Sequence, residues 1–92
     1  MKFEVNLSDE AKVDIKKLKK SGDKKSLKKL YALIEELETH PTSGTGKPEQ
    51  LKHYKIPTWS RRITDKHRLV YRIHEDKIIV LVLSAYGHYN DK

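Results

Sequence analysis

Nearly all the residues able to do chemistry lie in the second half of the chain. Glu49 sits in GKPEQLK, with Lys47 and Lys52 beside it. A loop carboxylate among cations can act as a general base near a phosphate; the alternative is an exposed acid balancing two lysines. His88 and Tyr89 stand close to the C-terminus. Histidine titrates near neutrality and can protonate a leaving group, or it can be an idle surface residue. Arg68 can neutralise charge developing on a phosphate, or pair with Asp65 or Glu75. Trp59 can stack on a base or pack in the core, and Tyr86 and Tyr89 carry the same ambiguity. His53, His67 and His74 show no metal-ligand spacing with one another, so no metal site is expected. The sequence has no Ser-His-Asp signature and no CxxC. The stretch GTGK at 44–47 echoes a nucleotide loop but lacks the preceding strand and following helix that such a loop needs.

These residues surround one stretch, WSRRITDKHRLVY at 59–71, which reads as two short strands joined at Asp65–Lys66. It carries Arg61, Arg62 and Arg68. A strand usually buries one face, and arginine there is costly unless paired or wet. Three arginines in one hairpin therefore predict a sheet face left open for an anion. The register is not fixed by the sequence. A two-residue turn would put Arg62 and Arg68 on opposite faces, whereas an odd-length turn or a bulge would bring them together.

The elements that must hold this hairpin are legible. Residues 2–7 alternate, with Phe3, Val5 and Leu7 on one side, as in a half-buried strand. Ser8 with Asp9 and Glu10 starts a helix whose Ala11, Ile15 and Leu18 share a face, and Ser21–Gly22 ends it. Asp23 can cap a second helix over about residues 24–38, with a stripe of Leu27, Leu30, Tyr31, Ile34 and Leu37, and Pro41 stops it. Residues 40–57 hold all three prolines and no strong periodicity; a loop this long in a compact domain is often functional. Strands follow at 59–64, 68–73 and 78–83. Leu69, Tyr71 and Ile73 point one way and Arg68, Val70 and Arg72 the other. The expected fold is α+β: β-α-α followed by an antiparallel meander, a twisted sheet with two helices on one face and the other face exposed. With neither repeat nor linker, residues 1–92 read as a single domain.

Composition narrows the function classes. The 92 residues carry a net charge of +7 and no cysteine, which excludes a disulfide framework and a thiolate metal site. Neither a signal-peptide pattern nor an apolar run near the ~20 residues that span a bilayer is present, so the expected location is the cytoplasm with no membrane partner. Residues 1–43 contribute ten lysines and eight acids; residues 44–92 contribute six lysines, four arginines and five acids. Every arginine is thus in the second half, and arginine is the planar fork suited to phosphate. Arginines and aromatics interleaved on strands favour a nucleic-acid partner; a merely solubilising basic surface is the alternative.

Taken together, GTGKPEQLKHY, WSRRITDKHRLVYRI and the terminal GHY resemble the YoeB/Txe family of bacterial toxins, within the RelE superfamily. The likeness covers residues 44–73 and the last few residues, and the combined pattern is far more specific than any one piece. The chain departs from the family in continuing with Asn90, Asp91 and Lys92 beyond the His-Tyr pair, and in having Gly87 where an aromatic is common.

The resemblance implies a microbial-ribonuclease-like fold and a ribosome-dependent mRNA endonuclease, with no cofactor. On the matching positions Glu49 corresponds to the general base, Arg68 to the arginine of the transition state, His88 to the general acid and Tyr89 to the aromatic beside it. Lys52 and Arg62 match cations lining the site, and Lys47 joins them as an RNA-binding residue. Implied partners are mRNA and rRNA in the ribosome, a cognate YefM/Axe-like antitoxin protein, and a second copy in a homodimer. Two readings of other classes stand beside this one. Relatives on the same scaffold poison DNA gyrase without the Glu, Arg and His-Tyr set, and a plain RNA-binding module would need no catalysis.

Overall fold

A computed structural model describes residues 2–74 and 79–84. The first strand, β1 (Glu4–Leu7), is followed by two helices, α1 (Asp9–Ser21) and α2 (Lys24–Leu37). Strands β2 (Glu49–Gln50), β3 (Thr58–Arg62), β4 (Arg68–His74) and β5 (Ile79–Ser84) complete the chain in that order.

Both helices begin on the residues that the sequence marks. The Ser8 hydroxyl accepts the Ala11 N–H at 3.0 Å, and an Asp23 oxygen accepts the Ser26 N–H at 3.1 Å. Each bond satisfies a donor that the first helical turn leaves orphaned. Ser26 Oγ also donates to Asp23 at 2.6 Å; these bonds from Ser26 hold the Asp23 carboxyl below its ordinary range. Gly22, at φ 77°, closes α1 in the left-handed conformation and donates its N–H to the Lys19 carbonyl.

The sheet runs in the order β1-β5-β4-β3-β2. β1 lies parallel to β5, and the remaining pairs are antiparallel. The meander expected from the sequence is therefore present, with β1 added at one edge. At the other edge is β2, a two-residue strand with no hydrophobic alternation, set within the long loop expected over residues 40–57. β3 begins at Thr58 and ends at Arg62, so Ile63 and Thr64 belong to the turn rather than to the strand.

One core lies between the helices and one face of the sheet. It joins Ala11, Ile15 and Leu18 of α1 and Leu30, Leu33 and Leu37 of α2 to Leu69, Tyr71 and Ile73 of β4, with Phe3, Val5, Leu7 and Trp59 packed against its margin. Trp59 is thus on the packing side of its two alternatives. The buried line of α2 is Ser26, Leu30, Leu33 and Leu37, rotated from the expected stripe. Tyr31 is exposed at 44%, while Leu27 and Ile34 sit at the edge of the core. The lines at i, i+4, i+7 and i, i+3, i+7 overlap in this apolar helix, and burial selects the one that Leu33 shares.

The opposite sheet face departs from expectation. Arg68 and Arg72 are half-buried, and Thr58, Ser60 and Val70 are buried. Thr58 lies directly opposite Arg72, and Ser60 opposite Val70 with arginines on either side. Long arginine stems can cover small side chains of this kind, and Arg72 Nε is itself buried without a hydrogen-bond partner among the described residues.

Candidate active site on the β2-β3-β4 face

The β3-β4 register pairs Arg62 with Arg68, Ser60 with Val70 and Thr58 with Arg72. The turn thus spans residues 63–67, an odd length, and Arg62 and Arg68 share a face. The Thr64 hydroxyl closes it, accepting the Lys66 and His67 N–H groups at 3.1 Å each. On β2, Glu49 pairs with Ser60. Directly opposed residues point the same way, so Glu49, Arg62 and Arg68 rise from the same face, away from the helices. Neighbouring strands are about 5 Å apart and residues advance about 3.3 Å. Glu49 therefore stands diagonally from Arg62 and one strand further from Arg68, a spacing that long side chains close around a phosphate-sized group. Glu49 is exposed and Arg62 and Arg68 are half-buried. Lys47 and Lys52, both exposed, flank β2. Arg62 approaches Asp65 at only 3.9 Å, with the aspartate 97% exposed; such a pair contributes about 0–1 kcal/mol and leaves Arg62 available.

Arg61 takes the other direction. Of the hairpin's three arginines, Arg62 and Arg68 face the open side, and alternation sends Arg61 to the helix side, where its side chain is 0% exposed. A buried guanidinium must be fully paired, and this one is. Its Nε donates to the Tyr71 hydroxyl at 3.1 Å, and Nη1 donates to Glu36 Oε1 at 2.6 Å and to the Thr45 carbonyl at 3.3 Å. Nη2 donates to the His40 carbonyl and to the Ser43 carbonyl, the latter at 2.7 Å. The Tyr71 hydroxyl in turn donates to the Pro41 carbonyl at 2.7 Å, and burial pushes its phenol above the ordinary range. Glu36 Oε1 also accepts the Thr45 N–H at 2.7 Å. The start of the long loop is thereby tied to β3 and β4 from beneath. Glu36 and Tyr71 were not singled out by the sequence as part of a polar cluster; the signal was an arginine at the parity of Leu69 and Tyr71, readable only once the turn length is known.

His88 and Tyr89, with the terminal extension after them, lie outside the described residues. Among the described residues, no group of three His, Asp or Glu side chains is placed to hold a metal ion.

Residues 8–89 match the family described as YoeB-like toxins of bacterial type II toxin–antitoxin systems. The chain belongs to the YoeB-like toxin family. Toxin YoeB of Escherichia coli (strain K12) is 47% identical over 58 residues, spanning 63% of this chain and 69% of that protein. A structure described as a YoeB/ParE toxin from Agrobacterium tumefaciens superposes with a TM-score of 0.84 at 31% identity, covering 95% of this chain and all of that one. YoeB of Staphylococcus aureus, solved as a dimer, gives a TM-score of 0.79 at 32% identity over 97% of this chain and 100% of its own.

Two predictions concern how this YoeB-like toxin holds its loop. Gly46 has φ 83°, and a Cβ there would lie 2.9 Å from the Arg62 carbonyl oxygen. That close approach lets the Gly46 carbonyl accept the Arg62 N–H at 2.7 Å. Gly46→Ala is expected to cost at least roughly 1–2 kcal/mol, from the left-handed backbone alone; an unchanged urea midpoint would contradict it. The second concerns Glu36. Burial disfavours its charge, but the Thr45 amide and the Arg61 guanidinium outweigh burial and hold the carboxyl below its ordinary value of 4.5. With the folded value depressed, its contribution is complete above 4.5 and is lost as pH falls through the folded value. The gap in urea midpoint between the wild-type protein and Glu36→Gln should therefore shrink from about pH 7 to about pH 3; a gap constant through that range would contradict the assignment.

Proposed function

We propose that this chain is the toxin of a type II toxin–antitoxin pair that cleaves mRNA in the ribosomal A site. One observation carries the reading: the strand register sets Glu49, Arg62 and Arg68 on a single sheet face. RNA brings its own nucleophile, the 2′-OH. Glu49 takes the proton from that hydroxyl as the oxygen attacks the adjacent phosphorus. Arg68 stabilises the charged phosphorane, with Arg62, Lys47 and Lys52 holding the backbone on either side. His88 gives a proton to the departing 5′-oxygen, and Tyr89 lies next to it in the chain. The step consumes one proton and returns one, and it needs neither metal nor covalent enzyme intermediate.

The working form is a single domain over residues 1–92, acting in the cytoplasm on the translating ribosome. The lysines on the outer faces of α1 and α2 contact rRNA phosphates, an attraction that salt weakens. An S. aureus YoeB has been solved in a heterotetrameric complex with YefM. By the same logic an antitoxin of that type lays an acidic amphipathic segment over the basic face here, and the free toxin pairs with a second copy.

The test is induction of the chain in cells without its antitoxin, followed by mapping of transcript ends. Cleavage within translated codons, abolished when ribosomes are kept off the message, is the expected result. Intact transcripts with gyrase arrest would move the chain to the gyrase-poisoning class; intact transcripts with no growth defect would reduce it to an RNA-binding module.

A further inference from the structure

We infer that Arg61 is the positioning residue of the candidate site: buried beneath the sheet, it fixes residues 40–46 so that Glu49 enters the sheet opposite Ser60. The inference rests on the reading of Glu49 as the general base.

Arginine has N–H donors on three nitrogens, and in Arg61 all five are bonded, three of them to loop carbonyls of His40, Ser43 and Thr45. Tyr71 adds a fourth carbonyl, that of Pro41. These carbonyls turn onto one buried guanidinium although their residues are otherwise exposed, so the path of the loop depends on the donor at its centre. Gly44 adopts φ 112°, and a Cβ there would meet Glu36 Oε1 at 1.8 Å. The loop thus passes directly over the carboxylate that partners Arg61. From Gly46 the path is handed to β3 through the Arg62 N–H, and from Leu51 through its N–H to the Thr58 carbonyl at 2.8 Å. Glu49 lies between those two ties, in a strand of two residues. Two ladder residues do not hold an edge strand in register unaided. The same β3 strand therefore presents Arg62 to the site above and Arg61 to the anchor below. Lysine in place of Arg61 would keep the charge but not the planar fork.

The experiment compares the wild-type protein with Arg61→Lys and Tyr71→Phe by amide hydrogen exchange and single-turnover cleavage on programmed ribosomes. Tyr71→Phe removes one hydroxyl and serves if Arg61→Lys does not fold. The expected result is a folded variant in which exchange of the Thr45, Leu51 and Arg62 amides speeds up by at least roughly tenfold more than that of Leu30 and Leu33. Its cleavage rate falls by roughly tenfold to a hundredfold, as small misplacements do, with ribosome binding unchanged. Loop amides that stay protected at a wild-type rate, or that loosen without loss of rate, overturn the inference. So does loosening of the core as much as the loop, since Arg61 would then stabilise the whole fold with no particular hold on the loop. A wild-type protein that does not cleave removes the nuclease reading instead, and exchange alone then decides whether Arg61 anchors the loop.

Discussion

Arg68→Ala is expected to slow mRNA cleavage by ~10²–10³-fold, the cost of removing one preorganised electrostatic donor from a transition state. Glu49→Gln, which keeps shape and removes the base, is expected to cost ~10²–10⁴-fold. Neither should disturb the fold. Glu49 is exposed at the sheet edge and Arg68 is half-buried, and surface substitutions away from buried contacts usually change stability by about 0.5 kcal/mol or less. Stability and rate therefore separate. A loss of rate at an unchanged urea midpoint assigns chemistry to these side chains; wild-type rates in both variants would remove them from the site. Because both act on one transition state, the double variant should be little slower than the worse single one.

The reverse pattern is expected one residue before Arg62. Arg61→Ala should destabilise the protein by roughly 3–5 kcal/mol, the cost of breaking a buried, hydrogen-bonded charge pair by removing one partner. The His40, Ser43 and Thr45 carbonyls lose their donor, Glu36 loses its cation, and a cavity opens beside Tyr71. Against the about 5–15 kcal/mol that a domain possesses in total, this is a large fraction, and it would lower the urea midpoint severely. Arg62→Ala, whose side chain among the described residues makes a distant, solvated contact to Asp65, should change stability by no more than about 1 kcal/mol. Equal effects at the two neighbours would contradict the opposite directions assigned to them.

The hairpin shows how far sequence carries. Its side-chain alternation was legible: Leu69, Tyr71 and Ile73 enter the core and Arg68, Val70 and Arg72 do not. The relation between its two strands was not, because only the number of turn residues decides whether Arg62 meets Arg68. The helix caps Ser8 and Asp23 were legible because each bond spans three residues. The Arg61 cluster was not, because its partners stand 10 to 25 residues away in sequence. β2 escaped notice for a related reason: two residues have no periodicity, and Glu49–Gln50 becomes a strand only by pairing with Trp59 and Ser60. The proposed catalytic set was read from likeness to a family. The register adds that Glu49 and Arg68, distant in sequence, rise from one sheet face.

In the proposed reaction an RNA 2′-OH is the nucleophile at the Glu49–Arg68 face. The most direct test is the chemistry of the cut ends after single-turnover cleavage on programmed ribosomes. A 2′,3′-cyclic phosphate or 3′-phosphate upstream with a 5′-OH downstream is the predicted product, and replacing the 2′-OH at the cut site with hydrogen should abolish cleavage. A 5′-phosphate, or cleavage that survives that replacement, would mean that water attacks instead and that Glu49 does not activate the 2′-OH.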